Sequence, residues 1–441
     1  MKKAVALILT LVLALTLFAC ASNDKTPSSP APTQSPTGGA PAADGKKPYP
    51  NCNEDGSINL DRIAHYDPEY DYTQNEKFKV TYITQDGGPL YQQSAAAYEH
   101  WAPLFNMEWA GFISSNGDAD LYMTSLQNQL DQGVRGFILD PDSTIFPAVA
   151  DLMDAYPDCA WMSQMSAPRD GTSGEGVPPG GHMIHPYVGF DNYDAGVQVT
   201  NKLLQWKEEN LPDVDWKDIA FLAMAFSTSP QLNDRVTASK DIWLKTAGTL
   251  DNFFIADCVS TGINLQGGIE AATPIITTNA SRYKYWLVQG LIDDFAIAAA
   301  TVLDQQGLTD NSCVACFGGS GLQMQWDAGT QNAFRYALFT AQNLYAEPII
   351  GAVYAFLMGW ATPDTIWPSW VKWDDHGTNG HTYPQLRLPT VWLEPDSYKH
   401  YLEWTDMYAK ANAYDYPQEG INLDDYSPFV DKVPDDYKKP N

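Results

Sequence analysis

The chain has 441 residues, enough for two or three domains and a large core. Its 54 acidic against 26 basic residues leave a formal net charge of −28, a surface that repels nucleic acid and offers no basic footprint for it. Aromatic residues are plentiful, with 14 Trp, 24 Tyr and 17 Phe, which suits stacking against flat ligand faces as well as filling a core.

Met1-Lys2-Lys3 precedes an uninterrupted stretch of apolar residues and threonine over 4–19, and this predicts an export signal over 1–20 rather than a fold element. It ends in Leu17-Phe18-Ala19-Cys20, which resembles the bacterial lipobox. That resemblance implies a lipid on Cys20 and a tether to the outer face of a membrane. Residues 22–50 are Ser, Pro, Thr, Gly and Ala with almost no large apolar side chain, so they read as a flexible tether within an unassigned lead-in over 21–77. Beyond Cys20 there remain Cys52, Cys159, Cys258, Cys313 and Cys316, too few for a disulfide framework. Cys313-Val-Ala-Cys316 has redox or metal-like spacing but lies in an apolar run, as buried strand cysteines do. Residues 51–62 carry alternating oxygen ligands and a central glycine like a calcium loop, but Arg62 stands where a bidentate Glu is needed, so a turn is expected and no metal.

From residue 78 the pattern becomes regular. Short apolar runs predict strands at 78–83, 107–113, 134–139, 159–162, 187–190, 219–225, 252–258, 285–289, 313–317, 337–340 and 390–393. Helical spacing separates most of them, at 92–105, 121–130, 146–155, 192–209, 233–246, 267–277, 293–305 and 347–359, with a last helix from 398. This alternation predicts parallel sheets with right-handed crossovers. Residues 167–186 are rich in Gly and Pro and too long for a routine connection, so they read as a crossing between lobes. Asp140-Pro141 closes the third strand abruptly, at the edge where open α/β sheets bind ligands.

Four segments in this order resemble the type I periplasmic solute-binding proteins, in particular the sugar-binding branch that feeds ABC importers. They are Asp118-Ala-Asp120 through Gly133-Val-Arg-Gly-Phe-Ile-Leu-Asp140-Pro141; Val188-Gly-Phe-Asp191-Asn192-Tyr-Asp-Ala-Gly196; Asp293-Asp294-Phe-Ala296; and Val391-Trp-Leu-Glu-Pro-Asp396. The resemblance covers about 78–405 and implies an α/β fold of two doubly wound Rossmann-like lobes joined by a three-strand hinge. The expected division is 78–186 plus about 343–385 for the N-terminal lobe, 187–342 plus about 386–405 for the C-terminal lobe, and a tail over 406–441.

Carried over residue by residue, the resemblance implies ligand contacts from Gln85, Asp86, Leu90 and Tyr91 in the turn after the first strand, with Tyr91 as a stacking aromatic. Asp140 matches the polar residue of the strand-end Asn/Asp-Pro pair, and Ser163-Gln164 replaces a frequent Asp-Arg. Arg235 matches an arginine that reaches the ligand from the second lobe, opposite Asp140. Asp293 matches an Asn-Asp position, with helix capping as its plainer role. Gln342 and Asn343 match the polar residues at the hinge return. Where the family has a strand-end Gly-Phe-Asp, this chain has Cys316-Phe317-Gly318-Gly319, a lost carboxylate whose space Trp326 or a residue of 367–381 would have to fill.

The resemblance implies a monomeric, non-catalytic, lipid-anchored protein with no cofactor. It would hold a sugar or polyol and hand it to an ABC permease. The alternatives are a ligand sensor for a chemoreceptor or sensor kinase, since the clamp chemistry would be identical, and a surface glycoside hydrolase. Against the hydrolase, the chain has no Gly-x-Ser-x-Gly elbow and no His-Glu-x-x-His, and adjacent carboxylates such as Asp374-Asp375 or Asp293-Asp294 point apart.

Overall fold

A computed structural model describes residues 47–402 except 166, 172–180, 191, 320, 330–331, 341, 370–382, 388–389, 397 and 400–401. Cys20, the export signal, the tether up to residue 46, the tail over 406–441 and most of the last helix fall outside the described residues.

Two six-stranded sheets share one strand order. In the first, β1 (Phe78–Thr84) lies between β2 (Met107–Ser114) and β3 (Gly136–Asp140), and β4 (Ala160–Gln164), β5 (Tyr187–Gly189) and β11 (Gln385–Arg387) follow outward from β3. Every pairing in it is parallel. In the second, β6 (Ile219–Ala225) lies between β7 (Phe253–Asp257) and β8 (Tyr285–Gln289), followed outward by β9 (Ser312–Phe317), β10 (Phe334–Thr340) and β12 (Thr390–Leu393). Only β12 runs antiparallel there. Each sheet therefore reverses its order of addition once, between β1 and β3 and between β6 and β8. The carboxyl ends of its parallel strands converge at those switch points.

The strands are apolar because both faces are covered. In the first lobe, α1 (Pro89–Trp101) and α9 (Ala346–Leu357) pack together on one face, and α2 (Ala119–Asp131) and α3 (Phe146–Ala155) cover a second core of Ile83, Tyr122, Leu126, Phe137, Leu139 and Trp161. In the second lobe, α4 (Asn192–Asn210) pairs with α5 (Pro230–Ala247), and α6 (Leu265–Asn279) with α7 (Asp293–Gln305). The lead-in is anchored on the first lobe: the Tyr66 amide donates to the buried Glu347 carboxylate at 2.8 Å, and the Leu60 carbonyl accepts from the Trp367 amide at 3.1 Å.

The lobe boundaries differ from the sequence expectation at two crossings. Tyr187–Gly189 pairs with β4, so the chain leaves the first lobe after residue 189 rather than after 186. Gln385–Arg387, absent from the expected strands and partly assigned to the second lobe, is the edge strand beside β5 in the first sheet, whereas β12 belongs to the second. The three residues of β11 are too few to show an alternating pattern, which is why the sequence hides it. The short helix α8 (Leu322–Asp327), of six residues, is likewise too brief to show a helical period. Pro89 and Pro230 each occupy the first turn of a helix expected to start three residues later, where a missing N–H costs nothing.

One glycine fixes the second lobe's geometry near the cleft. A Cβ on Gly196 would lie 2.5 Å from the Arg235 carbonyl oxygen and 2.7 Å from its Cα, so α4 and α5 touch backbone to backbone there. Gly196→Ala should push the helices apart and destabilise the protein by about 1–3 kcal/mol, read as a lower denaturant midpoint. An unchanged midpoint would show that the two helices are not held this closely.

Candidate functional site

The first lobe's switch point is made by β1 and β3, whose last residues Thr84 and Asp140 are register partners. The Gln85 amide donates to the Asp140 carbonyl at 2.9 Å, which ties the turn after β1 to the end of β3. Within that turn the Thr84 hydroxyl bonds the Asp86 carbonyl, and the exposed Asp86 carboxylate accepts from the Gly88 amide at 2.9 Å. Because α1 begins at Pro89, Leu90 and Tyr91 stand in its first turn, with Leu90 half-buried against the core. Tyr91 keeps some exposed surface, but its hydroxyl lies deep in the protein and burial pushes its pKa well up.

Asp140 is the most demanding group here. It is fully buried, and neither carboxylate oxygen has a hydrogen-bond partner. Burial drives its pKa far above the usual carboxylate range, and the negative charges of Asp86 and Asp142 push the same way. The Tyr91 hydroxyl and Gln85 side chain lie near enough to oppose this, though neither makes a hydrogen bond of good geometry. Tyr82, Tyr98 and Tyr122 also feel the Asp140 charge. Tyr122 donates to the Ile83 carbonyl at 3.1 Å, whereas the buried Tyr82 and Tyr98 hydroxyls have no partner.

The end of β4 is also buried. The Ser163 hydroxyl and His185 Nε2 are 2.8 Å apart, and burial lowers the His185 pKa to about 3, so the ring is neutral. The Gln164 amide nitrogen donates to the Gln342 carbonyl at 2.7 Å, which joins β4 to the second crossing and leaves Gln164 Oε1 without a partner. Gln342 and Asn343 are both buried in the 3-10 turn Gln342–Tyr345, and Gln342 Oε1 has no partner.

In the second lobe Arg235 is buried and held on three sides. Its Nε donates to Asn192 Oδ1 at 2.9 Å and one terminal nitrogen to the Leu291 carbonyl at 2.7 Å. The guanidinium carbon lies 4.3 Å from the Phe317 ring centroid and 5.4 Å from that of Phe190. Burial lowers its pKa to about 10, which leaves it charged at neutral pH. Across the cleft its charge acts on Tyr91. It is not among the stronger charges acting on Asp140, whereas Tyr91 feels both Asp140 and Arg235.

Asp293 corrects its expected capping role. Its carboxylate accepts from the Gly319 amide at 3.0 Å, the Gly321 amide at 2.7 Å and the Cys316 thiol at 3.3 Å, all outside its own helix. Gly318 has φ +148°, and a Cβ there would lie 2.1 Å from Asp293 Oδ1. The glycines that looked like a lost carboxylate are the cradle of this one. Trp326, a candidate to fill that space, is instead buried against Phe334 and Tyr398, with ring centroids at 5.8 and 5.3 Å. Most of 367–381 lies outside the described residues.

No protein-family model matches the chain, and no curated protein matches its sequence. Solved structures do match. A glucose-galactose binding protein from Geobacillus stearothermophilus aligns at TM-score 0.51 and 12% identity, covering 73% of this chain and 98% of its own. An arabinose binding protein from the same organism aligns at 0.52 and 11%, covering 74% and 99%. A carbohydrate transporter solute binding protein from Agrobacterium Radiobacter, in complex with D-arabinose, aligns at 0.53 and 12%, covering 74% and 98%. The chain has the type I periplasmic-binding-protein fold.

Within this binding-protein fold, Gln85, Asp140, Gln164 and Gln342 stand at strand ends, in the turns that follow them or at a crossing, Arg235 lies within α5, Asp293 opens α7, and Leu90 packs mainly as core. The sequence reading missed two residues of the same kind. Gln289 ends β8 and Thr340 ends β10; both are buried, and Gln289 Oε1 and the Thr340 hydroxyl have no partner. The available signal was a polar residue closing an otherwise apolar strand, Tyr-Trp-Leu-Val-Gln289.

Asp140 makes a pH prediction. Its folded pKa is raised, so between the unfolded value of about 3.9 and the folded value the folded state keeps a proton that the unfolded chain has released. Stability contributed at this site therefore falls as pH rises through that window. Asp140→Asn should remove the slope and raise the melting temperature at neutral pH relative to wild type, by about 1–3 kcal/mol in stability. Equal pH profiles for the two proteins would refute this.

Proposed function

We propose that this protein is an extracytoplasmic solute-binding protein that captures a sugar-like small molecule between its two lobes. It acts by binding, not by catalysis, held to the membrane through a lipid on Cys20 and delivering its ligand to an ABC permease. One observation carries the reading. Asp140, Gln164, Gln289, Thr340 and Gln342 end or follow strands of both sheets, are buried, and have oxygen atoms with no hydrogen-bond partner. Buried polar groups in native proteins are nearly always satisfied, so exceptions gathered at strand ends and the crossing after β10 are what a ligand rich in hydroxyls would complete.

The named neighbours support this, being a glucose-galactose binding protein, an arabinose binding protein and a protein complexed with D-arabinose. Full burial of Asp140 and Gln164 means that ligand entry requires the lobes to part about the three crossings, as in hinge closure. Arg235, fixed by Asn192, Leu291 and two rings, offers a rigid donor that loses little freedom on binding.

Mixing the folded protein with a panel of sugars, polyols and nucleosides should raise its melting temperature for a narrow set, since the ligand binds only the native state. Asp140→Ala and Arg235→Ala should each weaken that binding at least about tenfold while leaving the far-UV spectrum unchanged. No shift with any member, alongside turnover of a glycoside, would replace this reading with an enzyme.

A further inference from the structure

The unsatisfied atoms at the first lobe's strand ends have a chemical bias. Asp140 contributes two carboxylate oxygens with no partner; burial favours its protonated form until a bound cation displaces that proton, after which both oxygens only accept hydrogen bonds. Gln164 contributes another acceptor, because its amide nitrogen is already committed to the Gln342 carbonyl at 2.7 Å. Both side chains are fully buried.

The charges around Asp140 are biased as well. The strongest acting on it are Asp86 and Asp142, both acidic. From the second lobe the half-buried Asp294 also feels the Asp86 charge. Arg235 does not compensate Asp140: its charge is felt at Tyr91, and the acidic neighbour acting on it is Asp293. A buried carboxylate with no cation is costly, and a ligand that supplies one relieves that cost on binding. Among the described residues no group of three or more His, Cys, Asp or Glu is arranged to hold a metal ion.

We propose that the captured solute carries a protonated amine, seated on the Asp140 carboxylate with Gln164 Oε1 as a second acceptor, as an amino sugar or short polyamine would be. This rests on the reading that the strand ends line the ligand site, and it narrows the solute class from neutral polyols to donor-rich cations. An ammonium brings three donors and no acceptor, which matches the acceptors left open here. Tyr82, Tyr91, Tyr98 and Tyr122 all lie near enough to Asp140 to feel its charge.

Titration calorimetry of the full chain with matched pairs tests this: glucosamine against glucose, galactosamine against galactose, mannosamine against mannose, with spermidine as a cation that is not a sugar. At least one amine should bind about tenfold or more tightly than its neutral parent, and Asp140→Asn should erase the preference while keeping the side chain's shape. If that variant does not fold, a pH series on the wild type replaces it. Affinity for the amine should then fall as pH drops and Asp140 takes up a proton, while that for the parent hexose stays level. A neutral hexose that binds as tightly as its amine overturns the inference and leaves the sugar-binding function standing. Spermidine binding with no sugar bound supports the inference and overturns the sugar reading. No binding by any member overturns both.

Discussion

A carboxylate taken out of water must be compensated, and this protein buries two within one cleft that meet the requirement in opposite ways. Asp293 is supplied by the chain itself: two glycine amides and a thiol converge on it. Asp140 is equally enclosed and receives nothing of comparable geometry. The difference is one of backbone. The segment after β9 has glycines whose N–H groups can close on a carboxylate, whereas Asp140 is followed by Pro141, which has no N–H to offer. One acid is satisfied by the chain itself, and the other has no hydrogen-bond partner among the described residues.

The architecture explains why the open groups collect where they do. Parallel strands send all their carboxyl ends to one edge of a sheet, and the switch points keep helices away from that edge. Two sheets with the same strand order then present two such edges, and the crossings after β5, β10 and β11 join them. The Gln164–Gln342 hydrogen bond shows how the hinge enters the site, since one amide both ties β4 to a crossing and leaves its oxygen open.

Arg235 shows how the second lobe prepares a cation without spending it. Neutral acceptors hold its Nε and one terminal nitrogen, and flat rings cover its face, so the charge stays uncancelled by any direct ion pair among the described residues. That arrangement depends on Gly196, which lets α4 approach α5 closely enough for Asn192, at the start of α4, to reach the guanidinium.

Much of this was legible in the residues alone. The alternation of apolar runs with helical spacing determined two doubly wound lobes, because burial on both sheet faces demands continuous apolar strands. The Asp140-Pro141 step marked a strand end, because that chemistry is local. Short elements were hidden, Gln385–Arg387 among them, since three residues carry no period. Only the tertiary structure decided that Asp293 serves the glycine loop rather than its own helix, that Tyr91 feels both Asp140 and Arg235, and that Gln289 and Thr340 belong with the other strand-end groups. Those are relations between segments far apart in sequence. A residue's type states which hydrogen bonds it can make, and the folded chain determines which of them remain unmade.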